Sequence, residues 1–239
     1  MIKSLLFISI APVLIIAMYV YVRDKYEKEP LMSLLKALLT GAIITLPIVF
    51  IEELLISISP ATDGIKGAIY NGFAVASFTE EGLKYLAFIL FFWRSRNFNE
   101  KFDGIVYSVF ISLGFAAVEN LLYVYEGGYQ VGIIRAVTAV PAHALFGTVM
   151  GYHFSYARFY RERRMKQLFL AFLMPFMWHG LYDFLILGKK EILIVIFIPV
   201  VIWFWINGLK KMKELSMASV FRNDLSSNTQ HTENKHDEA

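Results

Sequence analysis

Roughly seven stretches of this chain, each near 20 residues and almost free of charge, are long enough to cross a bilayer core of about 30 Å as helices. They lie near residues 2–22, 31–56, 68–93, 103–125, 130–157, 167–187 and 191–207. No other feature restricts the fold as strongly. Lipid offers no hydrogen-bond partner to a bare backbone, so a spanning segment must satisfy its own amides, and an apolar run of this length does so as an α-helix. The chain is 57% hydrophobic and 18% charged, against about 45–50% and about 25% for soluble domains. The expected fold is therefore all-α: a polytopic membrane helix bundle of about seven transmembrane helices.

The loops set an orientation. Positive charge gathers after the first run (Arg23, Lys25, Lys28), after the third (Arg94, Arg96, Lys101), after the fifth (Arg158, Arg161, Arg163, Arg164, Lys166) and after the seventh (Lys210, Lys211, Lys213). The alternate loops are poorer. Cytoplasmic loops carry the excess of Lys and Arg, so the N-terminus is expected outside and the C-terminus in the cytoplasm. The first apolar run exceeds the usual ~7–15 residues of a signal-peptide core and no small-x-small site follows it, so it is expected to stay as an uncleaved span. Residues 1–215 then form one integral membrane domain. Residues 216–239, too polar to pack, form a disordered cytoplasmic tail. The chain has no cysteine, which removes disulfides, thiolate metal sites and a cysteine nucleophile. No basic patch with interleaved aromatics points to nucleic acid.

Against this background the ionisable residues inside the runs stand out. A charge at the bilayer centre costs about 2.5–3.5 kcal/mol on insertion scales. Glu80, Glu81 and Lys84 fall in the third run, Glu119 in the fourth, His143 in the fifth, and His179 with Asp183 in the sixth. Four consecutive helices carrying this cost imply one shared polar centre. Helical spacing supports it. Gly72, Ala76, Glu80 and Lys84 recur every four residues, as do His143, Gly147 and Gly151, and small residues at that spacing let membrane helices approach. His179 and Asp183 are four apart and can touch; Phe115 and Glu119 share a face. Pro141 and Pro175 precede the two histidines and disturb the turns before them. Lys36, Arg135, His153, Glu52 and Glu53 lie near run ends, where snorkelling to an interface accounts for them.

Carboxylates and imidazoles without a cysteine suit water activation: a carboxylate as general base, and polar groups that steady the oxyanion. Adjacent residues on a helix point about 100° apart, so Glu80 and Glu81 are expected to aim at different points. Glu80, on the small-residue row, is the expected base, and Glu81 pairs with Lys84 or holds substrate. There is no HExxH. "FDGI" (102–105) matches only half of a site-2 metalloprotease signature. Zinc is possible, with Glu80, Glu119, His143 and His179 as ligands suited to it; no other cofactor is expected. A proton-coupled transporter using the same Glu/His/Lys cluster is the alternative, although no internal repeat supports it.

The motifs "EEGLK" (80–84), "FAAVEN" (115–120, with Asn120), "PAHALFG" around His143 and "HGLYD" (179–183), in this order and on these runs, resemble the PrsW family. These are bacterial membrane proteases related to the CAAX prenyl endopeptidases. The resemblance implies a multi-pass protein of the bacterial cell membrane that makes the first, extracytoplasmic-side (site-1) cut in a single-span anti-sigma factor, leading to sigma factor release. It implies Glu80, Glu81, Glu119, His143, His179 and Asp183 as catalytic residues, with His179 and Asp183 on the oxyanion and substrate side. Lys84, Phe115 and Asn120 would support them.

Overall fold

A computed structural model describes residues 2–59 and 63–219; all regular elements among these are helical. Helix α1 spans Ile2–Arg23 and α2 Leu31–Ser57. The third apolar run is composite: α3 (Gly64–Ile69) passes without a break into a π-helical segment, Tyr70–Ser77, and then into α4, Phe78–Phe91. Helices α5 (Asp103–Val137), α6 (Ala139–Phe159), α7 (Arg164–Leu187) and α8 (Glu191–Met217) follow, with a single 3-10 turn at Arg161–Arg163. Among the described residues, five helical stretches are long and apolar enough to cross a membrane. One of them, Asp103–Phe159, is 57 residues long and contains two breaks.

The first break is at Gly128, with φ 74° and ψ −163°, a conformation open to glycine because it lacks a Cβ. The second is at Thr138. Between them the chain doubles back as a short arm, 129–137, which returns Arg135 to the flank of α5 beside Glu119 and Asn120.

Helix α5 is the central element, packed on α1, α2 and α6. Lipid supplies no hydrophobic drive between helices, so close approach has to come from small residues. On α2, Gly41 faces the Ile111 carbonyl; on α5, Gly114 faces the Leu38 carbonyl. Gly104 of α5 meets Gly151 of α6, and Gly147 rests on Ser108, Val109 and Ser112. The expected row His143–Gly147–Gly151 is thus the packed face of α6. Helices α1 and α8 leave large apolar side chains exposed, among them Phe7, Leu14, Ile194 and Ile198, as lipid-facing surfaces do.

The loops rich in positive charge meet at one end. Asn99 donates to Glu27, Asn97 to Ser33, and Lys101 lies over the Tyr160 ring. Tyr152 and Tyr156 donate to Glu214 of α8, which continues well past the expected end at 207. A group of buried acids ties these loops together. Asp24 accepts from the Glu29 amide, and Asp103 accepts from the amides of Asn99 and Glu100 at 2.9 and 2.7 Å. Tyr107 donates to Glu29, and Ser219 donates to Glu100. Burial pushes Asp24 up to about 6 and Glu29 and Glu100 each up to about 7. The "FDGI" aspartate is therefore a loop-capping acceptor. Met217 is still helical, and the expected tail beyond Ser219 lies outside the described residues.

Candidate active site

The π-helical segment ends one turn before the acidic pair, so Glu80 and Glu81 stand in the first turn of α4. Ser77 donates to the Phe176 carbonyl at 2.6 Å and Gly72 packs on Gly180, Asp183 and Phe184, which fixes this stretch against α7. Lys84, with 0% exposure, reaches back along α4 and holds both carboxylates, Glu80 Oε2 at 2.9 Å and Glu81 Oε1 at 2.8 Å. The two glutamates therefore do converge on one point, against the expectation from their 100° offset. An i,i+3 and an i,i+4 reach meet at a single ammonium, and three flexible side chains close the gap that the backbone leaves. The ammonium also lies over the Phe115 ring at 4.0 Å, a cation–π contact in place of water.

The other helices complete the centre. His143 Nδ1 is 3.4 Å from Lys84 Nζ, and its Nε2 is 2.9 Å from Glu119 Oε2. Arg135 Nη2 meets the same oxygen of Glu119 at 2.7 Å. Arg135 Nε donates to Asn120, and Asn120 donates to the Ser9 carbonyl of α1. His179 Nδ1 is 3.0 Å from Glu81 Oε1; its Nε2 is 3.3 Å from Asp183 Oδ2 and 3.8 Å from Glu80 Oε1. Phe146 stacks on the His179 ring at 4.9 Å, and Phe115 meets His143 edge-on. All six residues expected to be catalytic, with Lys84, Phe115 and Asn120, thus belong to one contiguous network.

A cavity of about 650 Å³ opens beside this network. Glu80, Glu119, His143, His179 and Asp183 line it, whereas Glu81 and Lys84 stand behind its wall. Three lining residues differ from expectation. Glu52 faces the cavity from α2, while its neighbour Glu53 is exposed. Arg135, expected at an interface, is the partner of Glu119; the doubling back at Gly128 puts it there. Phe146 is one aromatic among many in the sequence, with no local pattern that sets it apart. The only sequence signals were the second glutamate pair, "IEELL", and the glycine pair of "EGGYQ". Pro141 falls in the first turn of α6, where a missing amide is harmless, and Pro175 lies inside α7.

In donor type the centre suits zinc. Glu80, Glu81, His143 and His179, all buried, offer ligand atoms within 4.8 Å of one another, and two carboxylates with two imidazoles are ordinary zinc ligands. Glu81 takes the place expected of Glu119, which is turned toward Arg135. The Lys84 ammonium already sits between these donors, so a bound ion would have to displace it.

Residues 29–206 match the family model described as PrsW family intramembrane metalloprotease. The chain belongs to the PrsW family. Relatives named Protease PrsW include that of Clostridioides difficile (strain 630), 38% identical over 88% of this chain and 91% of its own length. That of Geobacillus kaustophilus (strain HTA426) is 39% identical over 79% and 82%, and that of Bacillus subtilis (strain 168) 33% identical over 86% and 93%. No solved structure matches. The chain is a multi-pass bacterial membrane protease, and the PrsW relatives give the proton-transporter alternative no support.

Proposed function

We propose that this PrsW-family protease makes the first, extracytoplasmic-side cut in a single-span anti-sigma factor, which leads to sigma factor release. Glu80 is the base. It takes a proton from a water in the cavity as the oxygen attacks the scissile carbonyl carbon, and later gives the proton to the departing amine. His179, oriented by Asp183, steadies the oxyanion. His143, set between Glu119 and Lys84, flanks the attacked group. Glu81 and Lys84 act from behind the wall and hold Glu80 and His179 in place. The single observation that carries this division is that Glu80 lines the cavity and Glu81, with 0% exposure, does not. A zinc ion in place of the Lys84 ammonium, held by Glu80, Glu81, His143 and His179, would take Glu80 out of the role of base and act instead as a Lewis acid toward the peptide carbonyl.

The same reading gives seven crossings, with α3–α4 as the third and α5 and α6 as separate spans, the N-terminus outside and residues 216–239 a cytoplasmic tail. The meeting of the four positively charged segments at one end supports it. Purified protein in liposomes, given a single-span anti-sigma fragment, is the test. Wild type should shorten the fragment and Glu80→Gln should not. Equal cutting by Glu80→Gln would overturn the assignment of the base.

A further inference from the structure

The cavity wall has an electrostatic imbalance that the proposed chemistry leaves unused. Five carboxylates line it, Glu52, Glu80, Glu119, Glu126 and Asp183, against a single permanent cation, Arg135. Three of the five have partners: Glu80 has Lys84, Glu119 has Arg135 and His143, and Asp183 has His179. Glu126 is exposed at the rim. Glu52 remains. Its Oε1 is buried and, among the described residues, has no hydrogen-bond partner.

Its position is built by α2. Thr45, Ile48, Val49, Glu52 and Ile56 line the cavity, and their spacing puts them on one face of the helix. The inner part of this stripe is apolar or buried, so Glu52 is its one charged group, set toward the Ile56 end; it faces the carboxylates and cations of the Lys84 network across the cavity without an ion pair to them among the described residues. Leaving a buried carboxylate oxygen unsatisfied is costly. A guest that supplies a cation or a strong donor at that point removes the cost, and the acidic rim attracts such a guest.

We propose that Glu52 is a specificity-determining residue that receives a basic side chain, lysine or arginine, from the polypeptide being cut. The proposal rests on the protease reading of the cavity and adds the chemistry of one subsite. The basic residue lies on the side of the scissile bond that runs along α2 from Glu80 toward Ile56. A substrate with an acidic or apolar residue there leaves Glu52 unpaired and binds worse.

The test uses the full chain in nanodiscs and a set of synthetic single-span peptides. They carry one lysine moved stepwise through the ten positions next to the span, and matched peptides carry norleucine. Binding is read by photo-crosslinking to the Glu80→Gln protein, and cutting is read separately with wild type. One position should favour lysine about tenfold or more, the scale of a desolvated charge pair. Adding Glu52→Gln should bring that ratio close to one, Glu52→Asp should keep part of it, and Glu52→Lys should invert it in favour of a glutamate peptide. A structural role alone would not move a ratio or invert it. Cutting without lysine preference at any position, or a preference that survives Glu52→Gln, overturns the inference and leaves the protease reading intact. Lysine-selective binding without cutting of any peptide sinks the single-span substrate reading and keeps this one. No binding and no cutting sinks both.

Discussion

Two groups of buried carboxylates sit in this molecule, and they are built differently. Around Lys84, each carboxylate meets a cation or an imidazole, and the group opens on a cavity. At the end where the positive loops meet, Asp24, Glu29, Glu100 and Asp103 meet amides and hydroxyls, and none of the four lines the cavity. The first arrangement keeps charge inside an apolar bundle next to space for a guest. The second uses oxygens as acceptors to close loops. Buried acid alone is therefore no sign of a site; acid with its own counter-ions beside an accessible hollow is.

The largest effect that would break this contrast is on rate. Glu80→Gln should lower cleavage on the order of a thousandfold, the usual scale of a lost general base, with the protein still folded because Lys84 keeps Glu81 as its partner. Glu29→Gln should leave the rate within about twofold, since it touches no reacting group. A deep loss of rate in Glu29→Gln would erase the distinction.

The next effect is on stability. Lys84→Met removes the shared cation and leaves two carboxylates buried side by side, and breaking a buried pair in this way costs about 3–5 kcal/mol. Denaturation in detergent should show it. Combining Lys84→Met with Glu81→Gln should restore part of the loss, because one of the stranded charges is gone.

A smaller effect separates the groups by pH. Asp24 has an ordinary value of 3.8 raised to about 6; Glu29 and Glu100 have 4.5 raised to about 7. Burial is the main cause in each. A raised folded value favours the protonated folded state, so the contribution is full below about pH 4 and is lost as pH rises through 6 to 7. The melting temperature should fall by a few degrees over that window, and Glu29→Gln should flatten the fall. A melting temperature that rises from pH 4.5 to 7.5 would contradict the protonated reading of this end.

The smallest expected effect is that of chelation. The working group already holds a cation in Lys84, so exhaustive treatment of purified protein with a strong chelator should leave cleavage within about twofold. Loss of activity with restoration by zinc would show that the ammonium gives way to an ion, and would sharpen the contrast further.

Much of this was legible in the sequence because membrane physics writes in long runs. The bounds of α1, α2 and α7 follow from apolar length alone, and the glycine spacing of α6 marked its packed face. Glu80, Glu119, His143 and His179 announced themselves by the cost of their burial. What was hidden depends on contacts between distant parts. Arg135 reaches Glu119 only because the chain reverses at Gly128, and no local pattern gives the angle of that reversal. Glu52 sits where a helix end and a cavity wall have the same sequence signature. The convergence of Glu80 and Glu81 on Lys84 is hidden in the sequence because adjacent backbone directions differ, and three long side chains overrule them.

The π-helical turn at Tyr70–Ser77 has a consequence for how such a chain can change. A wide turn of this kind amounts to surplus residues wound into an ordinary helix. Deleting one residue there lets the winding tighten, with the adjustment taken up toward α3. Glu80, Glu81 and Lys84, anchored downstream by His143 and His179, keep their rotation about the axis. The α3 end of this composite helix can thus take up a change in length while the turn that carries Glu80, Glu81 and Lys84 stays in register.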